Sequence, residues 1–331
     1  MPFLSIIIPV YNEEDNVCLL FKKIQTVCQT IDETYEVIFI DDGSTDGTFA
    51  ILSELSEQEP QLAVIKFKGN AGQTAAMAAG FEFAKGERII SMDGDLQNDP
   101  ADIPKLLEKL DEGYDLVCGW RKERKDNVWL RLIPSMVANW IIGKVTRVPI
   151  HDNGCSLKAY RASVIKQVLL YGDMHRLIPA MSTVVGARIT EVVVTHHPRR
   201  FGKSKYGLGR IWRVMLDIIA FKLIISVFRG KPNTNKSYLP KWRKLTNFFL
   251  NRCRRRPLRL FGTLGTIGFT LGTILLIGLP KISIIVGAST LIITSGILTF
   301  CFGMYGELVS YANAKQVKDY TVEIYLDGTH R

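Results

Sequence analysis

The chain alternates short apolar runs with longer stretches whose apolar residues recur at helical spacing. Leu4 to Pro9 is a continuous apolar run rich in β-branched residues, the pattern of a parallel strand covered on both faces. Asn16 to Thr30 then places Val17, Leu20, Phe21, Ile24 and Val27 on one helical stripe. The alternation continues with strand Tyr35 to Ile40, helix Thr48 to Ser56, strand Leu62 to Phe67 and helix Gln73 to Ala84. Strand Arg88 to Met92, helix Asp102 to Asp111 and strand Asp115 to Gly119 follow. Strands separated by helices imply βαβ units, hence an α/β class with a Rossmann-like, mostly parallel, doubly wound sheet. Ligands of such sheets bind beyond the carboxyl ends of the strands.

The pattern changes in the second half. Trp129 to Ile142 reads as an amphipathic helix carrying Arg131 and Ser135. Leu208 to Phe228 reads as another, with Ile211, Met215, Ile218, Ile219 and Leu223 on one stripe. Core packing explains that helix as well as a place in the membrane interface does, and its position just before a basic block favours the interface. Two uncharged apolar runs follow, Leu260 to Leu279 and Ile282 to Gly306. Each is long enough to cross a hydrocarbon layer, which takes about 20 helical residues. The expected organisation is an α/β domain over 1–225 with its interfacial helix near 208–228, and a basic linker over 229–259. A membrane hairpin over 260–306 and a cytoplasmic tail over 307–331 complete it.

Composition sharpens this division. Apolar residues are 47% of the 331 and charged residues 22%, which excludes a disordered or fibrous chain. The net charge of +10 would suit a nucleic-acid binder, but its location argues otherwise. Arg229 to Arg259 holds 11 basic residues and no acid, and the rest of the chain carries 31 basic residues against 32 acids. A polybasic block abutting an apolar span reads as cytoplasmic anchoring to anionic lipid, with the α/β domain on the cytoplasmic face of the cell membrane and no nucleic-acid partner. The six cysteines form no Cys-x-x-Cys pair, so neither a zinc site nor a disulfide framework is expected. The opening Met1 to Val10 has no basic segment ahead of its apolar run and reads as a buried strand.

Three strands end in polar punctuation: Pro9-Val10-Tyr11-Asn12-Glu13, Asp41-Asp42-Gly43-Ser44 and Asp93-Gly94-Asp95-Leu96-Gln97. In extended backbone, residues two apart project to one face. Asp93 and Asp95 can therefore reach one hard divalent cation or its waters, Mg²⁺ or Mn²⁺, and Gln97 could supply a third oxygen. Asp41-Asp42-Gly43-Ser44 reads as a turn opening the next helix, and a carboxylate there can also accept hydrogen bonds from a nucleobase.

These three motifs, in this order and at these separations, resemble the family 2 glycosyltransferases of GT-A fold, and more closely their polyprenyl-phosphate, dolichol-phosphate mannose synthase-like branch. The likeness covers residues 1 to about 225. It implies that Pro9, Tyr11, Glu13 and Asp42 hold the base and ribose of a nucleotide diphosphate sugar, and that Asp93, Asp95 and Gln97 hold the metal on its diphosphate. It implies further that Arg121, Arg131 and Ser135 meet the phosphate of a polyprenyl phosphate acceptor. Arg199-Arg200-Phe201-Gly202-Lys203-Ser204-Lys205 matches the branch's RxxGxSK loop, which puts Arg199 and Lys205 over the phosphates. Gln73 stands where relatives often carry Lys.

Joining two polyanions requires a cation and guanidinium groups able to grip phosphate in bidentate fashion. A phosphate monoester, with a second pKa of about 6, already carries the charge its oxygen needs for attack. No general base is then required. Asp152, in His151-Asp152-Asn153-Gly154-Cys155, stands where an acid for a hydroxyl acceptor would lie and reads as support for the loop or acceptor site. His175, His196 and His197 read as structural. The expectation is inverting transfer of a hexose, of UDP-glucose or GDP-mannose type, to undecaprenyl or dolichyl phosphate, by a membrane enzyme that could form homo-oligomers. Two rivals stay open: transfer to a glycolipid or polysaccharide hydroxyl, and a silent scaffold that only binds nucleotide sugar.

Overall fold

The computed structural model describes residues 2–31, 33–122, 142–144, 146, 148, 150–170, 172, 174–198, 210–228, 256–278, 283–313 and 320–328. Two compact units emerge, one from residues 1–208 with 318–331 and one from residues 209–317.

The first unit is built on a sheet of eight described strands. Strands β1 (Leu4–Val10), β2 (Tyr35–Asp41), β3 (Leu62–Phe67), β4 (Arg88–Ser91), β5 (Leu116–Trp120), β6 (Lys158–Arg161), β7 (Ile189–Val193) and β8 (Val322–Asp327) lie in the order β7-β5-β6-β4-β1-β2-β3-β8. The first four run parallel, as their unbroken apolar runs predict, with Ile6 opposite Val37 and Ile90. Helices α1 (Val17–Cys28), α2 (Thr48–Gln58), α3 (Gln73–Phe83) and α4 (Ile103–Asp111) make the connections. The stripe read in α1 is buried at Val17, Leu20, Phe21 and Ile24 against Ile6, Ile8, Val37 and Phe39. Small residues let α3 lie close on the sheet: a Cβ on Gly80 would sit 3.0 Å from side-chain atoms of Ile7 and Ile40.

Beyond β5 the sheet turns mixed. Strand β6 runs antiparallel to both β4 and β5, while β7 runs parallel to β5. Short helices α5 (Ala162–Ile165) and α6 (Ile178–Val184) and a 3₁₀ turn, Met174–Leu177, lie between them. At the opposite edge β8 runs antiparallel to β3. The residues read as a cytoplasmic tail therefore supply a strand to the sheet.

The second unit packs α7 (Arg210–Phe228), α8 (Pro257–Gly278) and α9 (Ser283–Asn313) together. Helices α8 and α9 run antiparallel with glycines at their contact. A Cβ on Gly265 would fall 2.5 Å from the Gly296 carbonyl oxygen, so only glycine permits this approach. Both helices are long and apolar enough to cross a membrane, and they expose large apolar residues such as Ile274, Ile284 and Leu291. A soluble core helix would bury them. The stripe read in α7 splits: Ile218 is buried with Leu216, Ala220, Phe221 and Ile224, whereas Met215 and Ile219 are exposed. Asp217 of α7 accepts two hydrogen bonds from Arg259, from Nε at 3.0 Å and Nη2 at 2.6 Å. Arg256 Nη1 lies 3.3 Å from Asp217 and 3.3 Å from the fully buried Glu307.

Candidate active site

The carboxyl ends of β1, β2 and β4 lie side by side, and their polar loops are tied to one another. Asn12, in a left-handed conformation at φ 55°, receives a hydrogen bond from the Thr45 amide at 2.8 Å, and its own amide donates to Ser44 Oγ at 2.9 Å. The Glu13 amide donates to Thr48 Oγ1 at 2.9 Å, and the Glu13 carboxylate accepts from Asn16 Nδ2 at 2.6 Å. Pro9 and Tyr11 flank Val10 with intermediate exposure. The loop after β4 presses on the same edge, since a Cβ on Gly94 would lie 2.6 Å from Val10 Cγ1.

The two acids after β2 have different surroundings. Asp42 is 4% exposed, and its carboxylate accepts the Ala71 amide at 2.6 Å and the Gly72 amide at 2.8 Å. Expected to meet a nucleotide, it braces the 69–72 loop. Asp41 accepts the Ser44 amide at 2.9 Å, and its burial pushes its pKa up despite that bond. Gly43, at φ 72°, admits the loop's close approach: a Cβ there would lie 2.6 to 2.8 Å from backbone atoms of Gly69 and Asn70.

Asp93 and Asp95 follow β4, which ends at Ser91, and the backbone bends over 94–96 rather than continuing extended as the two-residue spacing argument assumes. Asp93 Oδ1 accepts from Gln73 Nε2 at 2.7 Å, which gives Gln73 a partner in the site. The Asp93 amide donates to Ser156 Oγ, 3.2 Å away, and that hydroxyl also takes a hydrogen bond from Asn98 Nδ2 at 2.7 Å. Asp95 is 7% exposed and accepts the Gln97 amide at 3.2 Å. Leu96 between them has φ 60°, strain held by the loop around it. Gln97 lends its amide nitrogen to the His197 carbonyl at 3.5 Å. Among the described residues no three His, Cys, Asp or Glu side chains gather as a ready metal cage. The donor set suits a hard cation that keeps substrate oxygens and waters among its ligands, as Mg²⁺ and Mn²⁺ do.

Arg121, at the end of β5, grips Asp152 through Nε at 2.7 Å and Nη2 at 3.1 Å. Burial opposes the guanidinium charge, but the hydrogen bonds and charge of Asp152 outweigh it and raise the Arg121 pKa. Asp152 itself is 3% exposed, so it supports the arginine. Gly154 faces this pair and Arg176, whose Nη1 would lie 4.0 Å from a Cβ there. The sequence reading passed over Arg176, which has no motif around it. His175 Nδ1 meets Thr74 Oγ1 at 2.8 Å, and His197 Nε2 meets Asp99 at 2.8 Å, which are structural partnerships. Burial raises the Cys118 and Cys155 pKa values to about 12 and about 11, so both stay thiols. Arg131, Ser135, Arg199 and Lys205 lie outside the described residues.

A mostly parallel sheet whose adjoining strand ends carry paired acids is the GT-A architecture of a sugar transferase, and the second unit adds two helices long and apolar enough to cross a membrane. The glycosyl transferase family 2 model matches residues 5–169. The chain is 46% identical over 233 residues to a dodecaprenyl-phosphate galacturonate synthase of Rhizobium johnstonii, covering 69% of each chain. It is 38% identical over 218 residues to an undecaprenyl-phosphate 4-deoxy-4-formamido-L-arabinose transferase of Edwardsiella ictaluri, covering 66% of this chain and 67% of the other. A crystal structure of a mycobacterial protein superposes with a TM-score of 0.50 at 18% identity, over 67% of this chain and 74% of that one. The chain belongs to glycosyltransferase family 2 and is a glycosyltransferase.

Proposed function

We propose that the protein transfers a glycosyl group from a nucleoside diphosphate sugar to the phosphate of a polyprenyl phosphate, with inversion at the anomeric carbon. The observation that carries this is the state of Asp152. A hydroxyl acceptor needs a carboxylate to take its proton, and the one standing at that position is buried and held in two places by Arg121. A phosphate acceptor needs none. Its oxygen attacks C1 of the sugar as the bond from C1 to the diphosphate oxygen breaks, and the electron pair leaves with the diphosphate.

The ends of β1 and β2, with Pro9, Tyr11 and Glu13, take the nucleoside, and Asp42 acts through the 69–72 loop it holds. Asp93 and Asp95, with Gln97 beside them, would hold Mg²⁺ or Mn²⁺, which when bound offsets the charge on the departing diphosphate. Arg121 and Arg199, with Arg131 and Ser135, orient the acceptor phosphate, and Lys205 lies over the donor phosphates. The relatives' names widen the donor class from glucose and mannose to galacturonate and 4-deoxy-4-formamido-L-arabinose.

That residues 1–208 and 318–331 build one unit supports a hairpin whose two ends lie on the same side of a membrane. The basic residues of 229–259 favour the cytoplasm as that side. The test is to incubate membranes holding the protein with labelled UDP- and GDP-sugars, including UDP-galacturonate, and undecaprenyl phosphate, then extract lipid. Label in a lipid that mild acid cleaves supports the reading. Label only in glycolipid or polysaccharide would replace it with the hydroxyl-acceptor reading, and no transfer from any donor with the scaffold.

A further inference from the structure

Strand β8 does more than close an edge of the sheet. Its pairing with β3 runs from Ala63 opposite Asp327 to Phe67 opposite Val322, with a shift between Lys66 and Phe67. The ladder then continues past the end of β3, where the Lys68 amide donates to the Thr321 carbonyl at 3.0 Å. The Tyr320 ring stacks on Phe67, the last residue of β3, at 4.8 Å and 9°. Its hydroxyl donates to Glu82 of α3 at 2.7 Å. Tyr320 thus joins the strand and the helix that flank the loop of residues 68–72.

That loop is the one gripped from the other side by Asp42 and packed under Gly43, and Gln73 just beyond it holds Asp93. An edge strand needs covering only along its own length. The contacts here reach past β3 to Lys68, the first residue of the loop, and to Glu82 near the far end of the helix that the loop leads into.

We propose that Tyr320 and Thr321 position the 68–73 segment for the nucleotide, so that donor binding depends on the piece of chain that follows the membrane hairpin. This rests on the donor site proposed above. Tyr320 and Thr321 are positioning residues and touch no substrate.

The test uses the full chain in detergent, titrated with UDP and with GDP in the presence of MgCl₂ or MnCl₂, and then assayed for turnover. Tyr320→Ala is expected to weaken nucleotide binding by ~5-fold or more and to raise the donor KM in step, with the polyprenyl phosphate KM unchanged. Tyr320→Phe keeps the stacked ring but loses the hydroxyl's bond to Glu82, and should fall between the parent and Tyr320→Ala. Lys85→Ala, which removes the ion pair with Asp327 at the far end of β8, should stay within ~2-fold of the parent. If Tyr320→Ala folds poorly, Tyr320→Leu restores bulk without the flat stack and should show the same loss confined to the donor. Unaltered binding in Tyr320→Ala or Tyr320→Leu, or equal losses in Lys85→Ala, would overturn the clasp and leave the proposed function standing. A parent protein that binds neither nucleotide would overturn both.

Discussion

Replacing Asp152 with Asn separates the two roles that a carboxylate at this position could play. Asp152 accepts two hydrogen bonds from Arg121, at 2.7 and 3.1 Å, with side chains 4% and 14% exposed. Asn keeps the shape and one acceptor, loses the charge, and turns an N–H₂ toward the second guanidinium contact. A hydrogen bond to a charged group contributes about 1.5–3 kcal/mol. The substitution should therefore lower stability by that order, or about 3–12 °C in a domain of this size at 2–4 °C per kcal/mol. In turnover the loss should appear mainly as a higher KM for polyprenyl phosphate, with kcat reduced by no more than about tenfold, because the arginine is loosened and no proton transfer is removed. Arg121→Lys combined with Asp152→Asn should cost little more than either change alone, since both break one contact. Steady-state assays with each substrate varied, beside thermal melts, measure all of this. Were kcat to collapse by 10³-fold or more with both KM values and the melting temperature unchanged, Asp152 would be a general base and the phosphate-acceptor argument would fail.

Gly43→Ala places a Cβ within 2.6–2.8 Å of the Gly69 and Asn70 backbone at φ 72°. Left-handed strain of about 1–2 kcal/mol and overpacking of about 1–3 kcal/mol should together lower the melting midpoint by several degrees and weaken nucleotide binding. An unaltered melt would contradict the close approach. In the second unit, Glu307→Ala takes an acid partner from Arg256, which also meets Asp217, and should destabilise by about 3–5 kcal/mol. Glu307→Gln, which can still accept from Leu258, should lose less, and equal melts for the two would contradict that account. Burial raises the Asp99 pKa, but the His197 contact and the Ala101 amide overcome this and hold it below the usual 3.8. A depressed carboxylate stabilises above its unfolded pKa and loses that contribution as pH falls through the folded value. Asp99→Asn should therefore melt lower than the parent at neutral pH, the gap closing as pH drops below about 4; a gap independent of pH would refute this.

The first four strands and their helices were legible because each apolar run is buried on both faces and α1 and α4 carry apolar stripes, while α3 is buried nearly all round. The sequence reading placed β3 at Leu62 to Phe67, and the structure agrees. The antiparallel β6 was not legible: four residues with Lys158 and Arg161 at its ends resemble a loop, and Lys158 is buried because it donates to the Asn153 and Cys155 carbonyls. Strand β8 did carry a signal. Val322, Ile324 and Leu326 alternate with more polar residues, the two-residue period of a half-covered edge strand. Its place behind two apolar spans disguised it as a tail. At the site, the strand-end motifs were visible as residue types, but the partners of Asp42 and Asp152 were not. Nothing in local sequence says that a carboxylate will meet the amides of a loop 29 residues away or an arginine 31 residues before it.

The most direct test of the account removes the cation. Purified protein in lipid nanodiscs, given its nucleotide sugar and undecaprenyl phosphate, should form glycosylated lipid that vanishes in EDTA and returns with Mg²⁺ or Mn²⁺, and the D93A and D95A variants should stay inactive in either metal. Product formed at the parent rate in EDTA, or by the D93A/D95A double variant, would contradict it.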